Sequence, residues 1–162
     1  MQRTVVSLLS ALSIATLAAS ADTSASEVND FSFAPTPCGA PPVGGVWAMF
    51  KTAGGETFHA YITDSTAIFD AITLWRKPTS TKRIPIGKLS CSATVWNCPW
   101  HWSQAPASVH FAENAIEVCD GLPSDVERNC PTFGMGYYCP WSAVLVELRD
   151  CRTSSSCPLM QR

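Results

Sequence analysis

Charge is scarce in this chain. Of its 162 residues only 15% are Asp, Glu, Lys or Arg, and the formal net charge is −2. A typical soluble domain carries roughly a quarter. The basic excess that phosphate contact requires is missing, which excludes a nucleic-acid binder of the electrostatic kind. Apolar residues make up 46%, so this is not a polar chain without the means to build a core. No apolar run reaches the roughly 20 residues that span a bilayer. There is no Asn-x-Ser/Thr sequon, no CxxC pair and no Cys/His ladder of zinc spacing. GxSxG, HExxH, a phosphate-binding glycine loop and an EF-hand loop are absent too. No catalytic residue, metal ligand or cofactor is therefore assigned. The length suits one domain.

What is present begins at the N-terminus. Arg3 precedes an uncharged apolar run over 4–18, and Ala19-Ser20-Ala21 supplies small residues before Asp22. This three-part layout reads residues 1–21 as a secretory signal peptide. Cleavage leaves 141 residues, with 10 basic against 13 acidic, a net of −3. All eight cysteines remain: Cys38, Cys91, Cys98, Cys119, Cys130, Cys139, Cys151 and Cys157. An even number in a secreted chain predicts four disulfides, with a pairing that spacing alone cannot choose. The protein is expected outside the cell.

Residues 22–45 are rich in Ser, Thr, Ala, Pro and Gly and read as a flexible lead-in. A single domain is expected over 46–152, followed by a C-terminal tail over 153–162. Its pattern is α+β: a small, mostly antiparallel sheet with one principal helix and a short second one. Residues 46–50 and 56–63 form a hairpin around Gly54-Gly55. Over 64–76, Asp64 or Ser65 supplies an N-cap, Ile68, Ala71, Ile72 and Trp75 line one helical face, and Pro78 stops the helix. Residues 83–89 read as an edge strand because Pro85 cannot donate to a ladder. Short extended runs are expected over 108–111 and 115–119, and helical turns over 123–129. Over 142–149, Val144, Val146 and Leu148 alternate on one face of a closing strand.

Several features could carry function. Trp96, Trp100 and Trp102 surround His101, where they could stack on sugars or anchor a partner, or pack beneath their loop. The carboxylates Glu113, Glu117, Asp120, Asp125 and Glu127 are dense enough to supply an acid/base pair, or simply to be solvated and to cap helices. No acidic residue lies between 71 and 112, where Arg76, Lys77, Lys82, Arg83 and Lys88 fall. That basic stretch, Lys82 and Arg83 above all, could face an acidic partner.

The segments ETFHAYITDSTAIFDAITL, IPIGKLS, NCPWHW, PASVHFAENAIEVCDGLPSDVE and YCPWSAVLVEL, in this order and spacing, resemble the domain family named after the N-terminal part of a slime-mould calmodulin-binding protein. The most specific pieces are Ala115-Ile116-Glu117-Val118-Cys119-Asp120-Gly121 and Tyr138-Cys139-Pro140-Trp141-Ser142. The resemblance implies a compact, often secreted α+β domain without an established activity, and a disulfide between Cys119 and Cys139. It also implies a Trp-His-x-Asp-Pro run where this chain reads Trp102-Ser103-Gln104-Ala105-Pro106. The His and Asp of that run are missing, which weighs against a catalytic or metal role.

The reading that follows is a secreted, cysteine-rich, non-catalytic binding protein, effector-like or proteinase-inhibitor-like. Its partner would be an extracellular protein, a proteinase among them, or a glycan, with no nucleic acid and no membrane span involved. The candidate binding residues are Trp96, Trp100, His101, Trp102, Lys82 and Arg83, and the candidate inhibitory loop is 78–98. The alternatives are a carboxylate-dependent hydrolase acting on a glycan, with Glu113, Glu117 and Asp120 as its suspects, and a lectin-like sugar binder.

Overall fold

The structure, a computed structural model, describes residues 39–162; the expected signal peptide, most of the lead-in and Cys38 lie outside the described residues. The chain over the described residues forms two small antiparallel sheets, with the longer helix packed against strands of both. The first sheet has strand β1 (Val46–Lys51) between β2 (Thr57–Ile62) and β7 (Val144–Asp150). Alternate residues of the hairpin point inward, as a period of two demands. Val46, Ala48 and Phe50 on β1 lie opposite Ile62, Ala60 and Phe58 on β2, and all six are fully buried.

Helix α1 (Ser65–Arg76) begins where expected: Asp64 Oδ1 accepts the Ala67 N–H at 2.9 Å. Its buried stripe is Ala67, Ala71, Leu74 and Trp75, with Ile68 and Ile72 half-buried beside it. The helix faces both β5 and β7, so the stripe that meets them is broader than the four-residue pattern suggested.

Strand β3 (Ile84–Ser90) is not the edge strand expected from Pro85. It pairs with three short strands: β4 (Ser103–Gln104), β5 (His110–Ala112) and β6 (Tyr137–Tyr138). Pro85 is tolerated because its ladder partner is Phe111 alone, and β6 joins only at Gly87 and Lys88, beyond the proline. The same pairing removes the candidate inhibitory loop over 78–98, whose middle is this shared strand. At Gly87 a Cβ would lie 2.7 Å from the Gln104 side chain, which crosses there to donate to the Tyr138 carbonyl at 3.0 Å.

Two other local expectations are corrected. Residues 115–119 are not extended: Glu117–Cys119 is a 3-10 turn, closed by the Asp120 N–H on the Glu117 carbonyl at 3.0 Å. A run this short with apolar residues two apart does not distinguish strand from turn. In β7 the face of Val144, Val146 and Leu148 is broken by a β-bulge, where the register against β1 shifts between Met49 and Phe50. Leu145 and Leu148 are therefore the buried pair, and Val144 is 60% exposed. Helix α2 (Pro123–Asn129) forms as expected, with Asp125 Oδ2 accepting the Leu122 N–H at 2.9 Å and Glu56 accepting from Ser124.

The ends of the described chain are tied to the first sheet. Gly44 donates to the Cys151 carbonyl and Tyr61 Oη to the Pro42 carbonyl, so the last part of the expected lead-in packs on the domain. Residues 158–160 run along the outer edge of β7: Met160 donates to Leu148, Asp150 donates to Pro158, and Leu159 bridges Arg149. Three disulfides join Cys91–Cys130, Cys119–Cys139 and Cys151–Cys157, with Cα–Cα distances of 5.7, 5.2 and 4.2 Å. Bridges at this density mark a small domain made for an oxidising compartment.

The two sheets meet on three fully buried rings. Phe58, Trp102 and Tyr138 lie with Phe58–Tyr138 and Trp102–Tyr138 centroids both 5.1 Å apart and near edge-to-face. Trp102→Ala is expected to cost about 3–5 kcal/mol in urea denaturation, and half-buried Trp100→Ala clearly less. Peptide mapping without reduction is expected to recover the three bridges above and a fourth, Cys38–Cys98. That pairing is favoured because Gly39, next after Cys38, donates to the Val95 carbonyl at 2.8 Å, three residues from Cys98.

Candidate functional site

The tryptophan segment is organised by a buried amide. Asn97, fully inaccessible, accepts the His59 N–H at 2.7 Å and donates to the Trp102 carbonyl at 2.8 Å. This pins the 96–102 loop across β2 and fixes where each aromatic goes. Trp102 is wholly buried and donates its indole N–H to the Pro123 carbonyl. It is a core residue and leaves the set of candidate binding residues, because a ring with no accessible surface cannot meet a partner. Trp100 is half-buried, its indole N–H on the Thr57 carbonyl at 2.8 Å. Trp96 packs on Tyr61 with centroids 5.7 Å apart. His101 is exposed, and Glu127 holds both its backbone N–H (2.9 Å) and its Nδ1 (2.6 Å). The three tryptophans therefore offer no shared open face for stacking.

The carboxylates are spent on structure. Asp120 Oδ1 accepts the N–H groups of Gly121 and Trp141. Asp125 caps α2 and pairs with Arg128 at 2.5 Å. Glu127 holds His101, and Glu113 accepts the Thr81 hydroxyl at 2.6 Å. Glu117 is exposed on its 3-10 turn. Of these five, only Glu113 lines a described depression, an open one beside Thr81 and Arg83.

Arg83, by contrast, stands at a second and more apolar hollow of about 210 Å³ between the end of α1 and the start of β7. Leu74, Pro78, Trp141, Val144 and Leu145 form its walls. Lys82 lies instead against Asp70, at 3.9 Å. Trp141, missed as a candidate in the sequence reading, is the 42%-exposed ring at this mouth. It is held there by the convergence of Cys119-Asp120-Gly121 and Cys139-Pro140-Trp141. The disulfide joins the two segments, the Cys139 N–H donates to the Cys119 carbonyl at 2.8 Å, and Asp120 accepts from Trp141 at 2.8 Å. Gly134 packs under this turn at φ +54°, where a Cβ would stand 3.0 Å from the Cys119 Cα. Exposure of Trp141 was not legible, but its position after a bridged Cys-Pro was the available signal.

A third hollow, about 220 Å³, lies on the other side of β1 and β2 among Trp47, His59, Trp96, Cys98 and Arg149. Trp47 stacks on His59 at 4.5 Å and donates to the Trp96 carbonyl, while Arg149 sits 5.7 Å over the Trp47 ring. His59 Nδ1 is buried without a hydrogen-bond partner. Burial pushes the imidazole down to about 4, against a weaker opposing pull from Glu147.

The folded state thus keeps His59 neutral while the unfolded chain binds a proton below about 6.5. Stability is complete above that value and falls as pH drops from 6.5 towards 4, by on the order of 2 kcal/mol. His59→Phe keeps the stack, loses no Nδ1 hydrogen bond, and is expected to flatten this part of the stability–pH curve, read by urea midpoints at pH 4.5 and 7.

Among the described residues no three His, Cys, Asp or Glu side chains cluster as a metal site, and no helix is long and apolar enough to cross a membrane. Ser103 and Gln104, where the related pattern carries a His and its following residue, are buried in β4. No curated protein and no solved structure matches the chain. The family model for the N-terminal domain of the slime-mould calmodulin-binding protein matches residues 45–152, from the start of β1 to just past the end of β7, and the chain belongs to that family.

Proposed function

We propose that this protein is a secreted, non-catalytic binding protein that acts outside the cell through a protein partner. The observation that carries this reading is the exposed Trp141 beside an apolar hollow with Arg83 at its rim. A large ring held in place by a disulfide and a carboxylate is an anchor whose ordering cost is met before a partner arrives. A hydrolase reading would need two carboxyl groups facing each other across a cleft. The work already done by Asp120, Asp125 and Glu127 argues against it. A lectin-like reading loses support from the burial of Trp102 and the half-burial of Trp96 and Trp100.

The mature protein, immobilised and exposed to the secreted fraction of its own milieu, is expected to retain a protein. Trp141→Ala should weaken that retention about 30-fold, while Trp100→Ala leaves it nearly unchanged. A proteinase as partner would show as a stable complex in a proteinase panel. Turnover of a glycan that Glu113→Gln abolishes would overturn the reading.

A further inference from the structure

The hollow beside Trp141 has a size, a charge and a rim that together restrict its occupant. Its volume of about 210 Å³ is below the roughly 300–1,000 Å³ of pockets that enclose a whole small ligand. It suits a single anchoring side chain of a larger partner, as interface hot spots do. Apart from Arg83 and Ser142 the lining is apolar, which disfavours a sugar ring with its hydroxyls.

Arg83 supplies the charge. Its side chain is exposed, and among the described residues it forms no ion pair. The neighbouring basic residues Arg76 and Lys77, at the end of α1, are exposed as well. The nearby carboxylates are engaged elsewhere, Asp70 by Lys82 and Glu113 by Thr81. A planar guanidinium beside an apolar surface matches a carboxylate in two parallel hydrogen bonds.

We propose that the hollow between α1 and β7 docks a segment of a partner protein in which one aliphatic side chain fills the cavity while an adjacent carboxylate pairs with Arg83. This rests on the binding function above and adds the chemistry of the partner. Trp141 and Val144, 42% and 60% exposed, close over the docked side chain from the rim.

The test is an amide and indole chemical-shift titration of the mature chain with three blocked tetrapeptides: acetyl-Gly-Leu-Asp-Gly-amide, the Leu-to-Ala version and the Asp-to-Lys version. The first is expected to move the Trp141 indole and the Val144 and Leu145 amides, and to bind at least 5-fold tighter than either other. Arg83→Glu should reverse the preference towards the Lys peptide. Val144→Trp, at an exposed position, should plug the mouth and abolish binding of all three. Unchanged resonances elsewhere report that each variant is folded. Equal affinity for the three peptides, or shifts remote from Trp141, overturns the proposal. So does a response of Trp141 to chitotetraose or to phosphatidylglycerol vesicles and not to the peptides. If the peptides fail while wild type and Arg83→Glu retain a secreted partner equally, the docking chemistry is wrong and the binding function stands. If the wild type retains nothing, that function falls as well.

Discussion

The meeting of Phe58, Trp102 and Tyr138 is the constraint on which the rest of the structure depends. Neither sheet is large enough to enclose a core alone. The first has three strands, and the second is a single long strand flanked by short ones. Each therefore needs an apolar surface supplied by the other, and these rings, all buried, come from β2, the 96–102 loop and β6. Burial also pushes the Tyr138 phenol up, so it stays a neutral donor to the Gly121 carbonyl. That hydrogen bond connects the core to the turn after Cys119.

From that turn the order of the binding surface follows. Cys119–Cys139 joins two segments that approach only because Tyr138 is anchored in the core. Asp120 then accepts from Trp141 and leaves its ring at the surface. The loop with more tryptophans behaves oppositely. Asn97 pins it across β2, and its central ring goes inward. Two aromatic segments of similar composition thus have different fates, one contributing to the core and the other to the surface. The difference lies in which backbone groups a buried polar side chain can reach.

Membership of the calmodulin-binding-protein N-terminal domain family is consistent with this division. The blocks that carry the resemblance around Cys119 and Cys139 are those that build the turn beneath Trp141. The residues that depart from the related pattern, Ser103 and Gln104, are buried, and Gln104 spends its amide on the Tyr138 carbonyl. Polar side chains at that place serve packing and hydrogen bonding within the core of this chain.

Local signals were enough wherever one segment decides its own state. Helix α1 could be placed from Asp64, the apolar stripe and Pro78, and the hairpin from alternation around Gly54-Gly55, because caps, periods and turns act within a few residues. The charge asymmetry and the α+β class were legible for the same reason. Three features required the tertiary structure: the partners of β3, the bulge in β7, and the choice of which tryptophan is buried. Pro85 forbids one ladder bond but says nothing about strands that pair further along. Val144, Val146 and Leu148 alternate in sequence, yet one extra residue in the ladder turns Val144 outward. Trp102 and Trp141 each lie near a cysteine and a proline, and burial separates them through contacts with β2, β6 and Asp120 that are far away along the chain.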